Sequence, residues 1–536
     1  MMARLSPGRK QSENRNFTTL PRPATEQFKT YPAPVRGWVT NQNLLMQDKM
    51  SAVILDNFFP TETGVSPRGG IAKFVDIPAK CEFLFDYNLD NIIQYFAATS
   101  TAIYKFTDSD SGNSITTAAV SGQTSSDYSF VNMVNSGGNY LKLVNGADSE
   151  QIYNGTSWSV PSITGVNTNL LSHIWLYGKR AFYIQKNSMS AWYLGIDAIQ
   201  GAATELPLAG IFKHGGSLLF GTTFSTDSGE GLDDLCVFVT TNGEAAIYSG
   251  NPADTTWALQ GVYYVGYPIG KNAFFHVGGD PVIATKEGLI PLSSAIQKNR
   301  SQAKLDSLSF DIEPTYNFEV LNSGAFSRWM VSKWGTADKL FVAPPLNSNL
   351  GKGFVFVKNL KTNAWCRYTG WDVQTMAVMN DLLWIGDGGG NVFKADIGGL
   401  DDGADFECRL AYAFDNLGTT GRFKETTRLK ETWRYSTNFE SKRSVATDYQ
   451  NNFQDAPNVA AINAEGQGAW DTSPWDTTQW GTDGQASYKV KEDWGTVNAS
   501  GENFSIQLQV TSGSSAKLDI ELVSVDLGYR VGENLA

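Results

Sequence analysis

One pattern limits this chain more than any other: a strand, a tight turn and a return strand, repeated at long and nearly regular intervals. Its clearest copy is Cys236-Val-Phe-Val-Thr-Thr-Asn-Gly-Glu-Ala-Ala-Ile-Tyr-Ser-Gly250. Cys236 to Val239 is continuously apolar, as a strand buried on both faces must be; Asn242-Gly243 is a strong hairpin turn; Ile247-Tyr248 opens the return strand. The same signature follows an apolar run and a small-residue turn at Ile103-Tyr104, Ile152-Tyr153, Trp192-Tyr193, Leu289-Ile290 and Val392-Phe393. Tyr104, Tyr153, Tyr193, Tyr248 and Ile290 stand 49, 40, 55 and 42 residues apart, near the ~40 to 50 residue period of propeller blades. The repeat predicts an all-β chain built on a β-propeller over residues 80–400, with Cys236–Gly250 as the inner pair of one blade. From Ile290 to Phe393 the spacing is about two periods, so six blades are expected and seven remain open. Between Ser293 and Ser309 the pattern changes to Ala295-Ile-Gln-Lys-Asn-Arg-Ser-Gln-Ala-Lys-Leu305, a short helix interrupting the repeat.

The flanks read differently. Residues 1–35 carry Arg4, Arg9, Lys10, Arg15, Arg22 and Lys29 among Pro, Ser, Thr and Asn. They predict an extended basic arm, either plain terminal disorder or a segment that orders against an acidic neighbour; Arg4, Arg9, Lys10 and Arg15 are its candidate docking residues. Residues 36–79 read as lead-in strands to the first blade, punctuated by Pro60 and Gly69-Gly70. Residues 401–536 form a separate antiparallel β-sandwich: Phe406, Cys408, Leu410, Tyr412 and Phe414 alternate with Glu407, Arg409, Ala411 and Ala413. Thr427, Leu429, Trp433 and Tyr435 give a second strand with a basic outer face of Arg428, Lys430 and Arg434, and Phe504 to Val510 a third. In the final strand the apolar parity shifts from Leu518, Ile520 and Leu522 to Val523, Val525, Leu527 and Tyr529, which predicts a bulge.

Bulk properties exclude several function classes. Lys and Arg total 42 against 54 Asp and Glu, a net charge of −12, which argues against a generic nucleic-acid binder held by phosphate contacts while leaving open a channel through which DNA slides. Cys81, Cys236, Cys366 and Cys408 lack C-x-x-C spacing and read as small buried hydrophobes, consistent with folding in a reducing cytoplasm. No apolar run approaches the ~18 residues of a membrane span, and the N-terminus lacks an apolar signal core.

Candidate sites are few. The stretch Ala469-Trp-Asp-Thr-Ser-Pro-Trp-Asp-Thr-Thr-Gln-Trp480, with Trp494 beyond it, holds four of 15 tryptophans in a polar, Gly-rich setting. Trp470, Trp475, Trp480 and Trp494 either pack back on their own sandwich, anchor a neighbouring subunit or partner, or offer a sugar-stacking platform. Acidic clusters at Asp108-Ser-Asp110, Asp227 to Asp234 and Asp401-Asp402 do not follow an EF-hand loop and read as solvated loops. Ser225-x-Asp227-x-Gly229 is a single, incomplete Asp-box-like turn, without the arginine cluster, tyrosine nucleophile or acid of a sialidase assigned beside it. His173, His214 and His276 lie in separate repeats without metal-ligand spacing and read as structural. Gly386-Asp-Gly-Gly-Gly390 lacks the Lys-Ser/Thr of a P-loop and reads as a turn. No catalytic, cofactor or metal constellation emerges.

A family resemblance adds to this. Pro-Ala-Pro-Val-Arg-Gly-Trp from Pro32, then Asp56-Asn-Phe-Phe-Pro60, then Gly64-Val-Ser-Pro-Arg-Gly-Gly70 resembles the start of tail proteins of short-tailed bacteriophages: tail tubular protein B, or nozzle, and head-to-tail DNA stabilisation (tail hub) proteins. The Asn359-x-x-Thr-x-Ala-Trp-x-x-Tyr turn, the Gly386 to Val392 segment and the Trp-Asp repetition of residues 470–480 extend the likeness. It implies a non-enzymatic virion protein assembled in the bacterial host cytoplasm. It also implies a homo-oligomer, a hexameric ring, which docks on the tail adaptor below the portal, meets tail fibre or tip proteins, and retains and then releases double-stranded DNA without sequence-specific contact. It favours subunit or partner contact for the tryptophans and for Arg428, Lys430 and Arg434. The alternative from another class is a propeller protein that binds or cleaves glycans, drawing on the Trp stretch and the Asp-box-like turn.

Overall fold

The structure is a computed structural model. It describes residues 25–44, 46–89, 92–225, 234–298, 300–323, 328–345, 353–455, 457, 489–513 and 515–534. Strands predominate, and seven of them stand around a central channel: Phe83–Leu89, Ser129–Asn135, Leu171–Tyr177, Leu218–Ser225, Phe274–Val277, Met330–Trp334 and Thr375–Met379. Each starts a sheet that runs outward and whose first three strands are antiparallel. Six of these sheets are free-standing blades; the other, the sixth in order, is shared with the sandwich.

The fold is a β-propeller, and its blades explain the sequence pattern. In the fourth blade the order outward is Leu218–Ser225, Asp234–Thr240, Glu244–Ser249, Ala258–Tyr264. Cys236 and Phe238, with Tyr248 of the same blade, face Trp175 and Phe182 of the third, while Val237 and Val239 face the fifth with Ile283 and Ile290. A middle strand packed on both faces must be apolar at every position, so the continuous run Cys236–Val239 follows. The hairpin is therefore the middle pair of its blade, not the inner pair. The inner strand carries Gly221, Thr222 and Thr223 beside the channel, which dilutes its apolar signature.

The ring closes through strand Gly70–Asp76, which pairs antiparallel with Asn391–Ile397 and so adds an N-terminal strand to the last blade. The fifth blade has three strands and is followed by helices α1 (Leu292–Gln297), α2 (Arg300–Leu305) and α3 (Glu313–Asn322). These occupy most of the irregular interval after Ile290. Ala295 and Ala303 pack on the Ile290 side of that blade, and Tyr316 donates to the Thr285 carbonyl at 2.8 Å.

The sixth sector, Met330–Trp334 to Trp365–Thr369, does not end at the propeller rim. Its sheet continues through Gly37–Trp38, Ser51–Asp56, Glu407–Tyr412, Phe504–Thr511 and Ser441–Thr447, nine strands in all. A second sheet of seven strands contains Lys489–Thr496, Arg422–Tyr435 and Ile520–Asn534, with Gln27–Pro32 and the pair Phe58–Pro60/Val65–Pro67 on its far side. One apolar core runs from Trp365 and Phe356 through Trp38 and Phe58 to Trp433, Leu508 and Leu527. The lead-in strands up to Pro67 thus belong to the sandwich, and the chain reaches the propeller only at Gly70. Of the basic arm, Gln27–Pro32 is a strand paired with Ser524–Tyr529; Arg4, Arg9, Lys10 and Arg15 lie outside the described residues. The predicted bulge falls at Val523: Thr432 pairs with Ser524 and the next residue, Trp433, with Leu522.

Candidate functional site

Of the motif residues that carried the resemblance, Asp56-Asn57, Arg68 to Gly70 and Asn359 lie at the junction of propeller and sandwich. Strand Ser51–Asp56 ends at Asn57, whose backbone is left-handed (φ 59°), a conformation asparagine tolerates better than most residues. Its amide then serves four groups: Nδ2 donates to Thr369 Oγ1 (2.9 Å) and the Glu407 carbonyl (2.7 Å), while Oδ1 accepts from Arg68 Nε and the Thr369 amide, both at 2.8 Å. Beside it Asp56 takes a bidentate pair from Arg367 at 2.7 and 2.8 Å. Arg68 is 0% exposed. It pairs with both Asp401 oxygens at 2.8 and 2.6 Å, donates to the Gly69 and Thr369 carbonyls, and lies 3.8 Å from the Phe406 ring centre and 4.9 Å from that of Trp371.

The glycines of this motif are there for close approach. A Cβ on Gly69 would stand 2.2 Å from the Asp396 carbonyl carbon, and one on Gly70 2.0 Å from the Leu400 oxygen. Asp396 itself accepts the Gly69 amide at 2.7 Å and is ion-paired with Lys339. Burial alone would raise its pKa, but the Lys339 and Lys517 charges hold it below the usual carboxylate value. The Asn359 turn joins in: Nδ2 donates to the Pro60 carbonyl at 2.9 Å, while Oδ1 accepts the Lys361 and Thr362 amides. Gly386–Gly390 is a turn, its Asp387 accepting the Gly389 and Asn391 amides. These residues do structural work at the junction and in the last blade.

The predicted contact residues that are described share the outer face of the seven-stranded sheet. Trp494 is 45% exposed and meets Phe28, itself 50% exposed, edge to face at 5.7 Å. The Arg428 guanidinium sits 4.9 Å from both ring centres and pairs with Glu26 at 2.9 Å. Lys430 pairs with Asp526 at 3.0 Å and Arg434 with Glu521 at 2.9 Å. The basic stripe is thus matched by acids from the neighbouring strands, and what the face presents is an aromatic pair around a cation in a mixed-charge surface. Phe28 had no signal in the sequence; only its pairing with Gly528 brings it there. Trp470, Trp475 and Trp480 lie outside the described residues, as do Asp227 and Gly229 of the Asp-box-like turn, whose Ser225 ends the inner strand of the fourth blade.

The remaining candidates resolve as scaffolding. His173 is buried between Ser129 Oγ (3.1 Å) and the Gly221 carbonyl (2.9 Å), and burial pushes its pKa down to about 3. His276 contacts Thr222 Oγ1 and the Thr223 carbonyl, and His214 pairs with Glu244 at 3.0 Å. All four cysteines are buried and free. Asp401 corrects the solvated-loop reading of Asp401-Asp402: it is the counter-ion of buried Arg68, 333 residues away in sequence. Among the described residues no group of three or more His, Cys, Asp or Glu is placed to hold a metal ion, and no helix is long and apolar enough to cross a membrane.

No family profile matches the chain, and no curated protein matches it. Among solved structures it is similar to the WD40 β-propeller domain of Doa1, with 8% identity, 61% of this chain and 96% of that chain covered, and a TM-score of 0.38. It is similar also to the RRP9 WD40 repeats (12% identity, 62% and 99% covered, TM-score 0.36). With Chaetomium thermophilum Raptor the figures are 11% identity, 62% of this chain and a TM-score of 0.37, and the match spans only 28% of that protein. At these identities the likeness is one of fold alone.

Proposed function

We propose that this chain is a structural virion protein, the tail nozzle or hub of a short-tailed bacteriophage, acting as a ring of identical subunits, six by resemblance, around the DNA exit channel. The observation that carries this reading is the use made of the shared motif. Asp56-Asn57, Arg68-Gly69-Gly70 and Asn359 fasten the lead-in strands, the sixth propeller sector and the sandwich to one another. A ring wall that must hold against packaged DNA calls for units that do not hinge, and one sheet and one core running through both units supply that.

In this reading the mechanism is mechanical and electrostatic. Each copy contributes a net charge of −12, so an acidic lumen would let DNA slide without gripping its phosphates. The outer sandwich face with Trp494, Phe28 and Arg428 suits contact with a neighbouring subunit or the tail adaptor, since exposed aromatics and arginine are frequent interface anchors. Electron microscopy of the purified protein tests the proposal. Closed rings with a central channel are expected, alone or on addition of the adaptor; monomers under both conditions would overturn it.

A further inference from the structure

At the end of the propeller channel where the inner strands begin, the described residues enclose a cavity of about 630 Å³. Its wall contains Lys186, Lys271 and Arg328 against two carboxylates, Glu82 and Asp127. This is a local excess of positive charge in a chain whose net charge is −12. Asp127 and Glu82 each stand beside one of these cations, so the wall carries one positive charge in excess, which favours an occupant of opposite sign.

Lys271 is buried, whereas Lys186 and Arg328 are exposed at the rim and each is tethered by a hydrogen bond. Lys271 is only 8% exposed; its ammonium donates to the Asp127 and Ser172 carbonyls and lies 3.2 Å from the Asp127 carboxylate. Arg328 is fixed by Ser126 Oγ and by Glu82 at 3.5 Å, and Lys186 donates to the Gly146 carbonyl at 3.3 Å. Burial disfavours the Lys271 charge most, Asp127 favours it, and Lys186 and Arg328 oppose it by smaller amounts. Around them the rim offers amides and hydroxyls, among them Asn187, Asn242, Ser217 and Thr241, while Phe83, Leu218 and Met330 supply an apolar side.

We infer that this mouth binds a small hydroxylated anion of monosaccharide size, a sugar acid or a sugar phosphate. Its charged group would meet Lys186 and Arg328, its hydroxyls the rim, and its ring face the apolar side. The volume lies within the ~300–1,000 Å³ range of small-molecule pockets. This inference stands apart from the proposed role in the virion: rings could form without such a ligand, and a ligand could bind without rings.

Isothermal titration calorimetry on the full chain tests it with four probes: glucuronate, glucose 6-phosphate, glucose and inorganic phosphate. At least one sugar anion should bind with a Kd of about 1 mM or tighter, well above glucose or phosphate alone. Lys186→Gln and Arg328→Gln, each checked for an unchanged melting temperature, should weaken that binding by roughly tenfold or more, the worth of a hydrogen bond to a charged group. Binding of neither sugar anion, binding of inorganic phosphate as tight as the sugar anion, or an affinity untouched in the folded variants would overturn the inference. If one variant fails to fold, the other decides. Whether glucuronate or glucose 6-phosphate binds more tightly identifies the carboxylate or the phosphate as the recognised group.

Discussion

Arg68 and Asp401 form a two-pronged ion pair, at 2.8 and 2.6 Å, around an arginine with no exposed surface. Taking one charge away leaves the other uncompensated in a buried site, a loss of roughly 3 to 5 kcal/mol. Arg68→Ala and Asp401→Asn should each lower unfolding stability by that order, read from urea midpoints. Arg68→Lys should rescue little, because an ammonium cannot reproduce the fork to Asp401, the bond to Asn57 and the stacking on Phe406 together. Full rescue by lysine would show that charge alone matters at this junction.

The neighbouring glycines give a steric test. Alanine at Gly70 would bring Cβ to 2.0 Å from the Leu400 carbonyl oxygen, a backbone atom that cannot turn aside. A Gly70→Ala variant should lose about 1 to 3 kcal/mol or more through forced backbone shifts. Gly335→Ala, where nothing lies within 4 Å of the added atom, is the control and should stay within ~0.5 kcal/mol of the parent. Equal melting temperatures for the two variants would contradict the close approach described at Gly69-Gly70.

On the sandwich face, Trp494 is 45% exposed and rests on Phe28 and Arg428. If this face is a subunit or adaptor contact, Trp494→Ala should weaken assembly by about 2 kcal/mol or more while the subunit's own melting temperature barely moves. Analytical ultracentrifugation of parent and variant, alongside thermal melts, separates the two effects. Loss of subunit stability with assembly unchanged would make the stack a local packing feature only.

How much of this was legible beforehand depends on how far the partners lie apart in sequence. Hairpins such as Phe354–Asn359/Trp365–Thr369 could be read because both strands, and the turn chemistry at Asn359, are local. The inner strands were harder: Leu218–Ser225 and Phe274–Val277 carry Gly221, Thr222 and His276 toward the channel, which breaks the apolar run and made the middle pair of the fourth blade look innermost. The sandwich's use of residues 27–67 rests on pairings such as Gln27 with Tyr529, which no local pattern announces. The same distance hid Arg68 as the partner of Asp401. The basic stripe of Arg428, Lys430 and Arg434 was visible from strand alternation, whereas its acidic partners Glu26, Asp526 and Glu521 come from other strands. The channel-mouth cations had no signature, since Lys186, Lys271 and Arg328 come from three separate loops that only the ring brings together.

Asp86 supplies a test of the ring interior. It lies on the inner strand Phe83–Leu89, where burial pushes its carboxyl up to about 6 and only a hydrogen bond from its own backbone opposes the shift. An unfolded aspartate titrates near 3.9. Between these two values the folded chain holds a proton that the unfolded chain has released, so stability contributed by this group falls as pH rises from about 4 to about 6 and the penalty is complete above that. Asparagine keeps the shape without the charge. Asp86→Asn should therefore match the parent near pH 4 and exceed it by about 1 to 3 kcal/mol at pH 7.5, allowing for partial solvent screening. The measurement is the difference in urea midpoint between variant and parent across that range, which cancels every group the two chains share. A difference that stays constant with pH would mean that Asp86 remains ionised in the folded ring throughout, and that water reaches it along the channel.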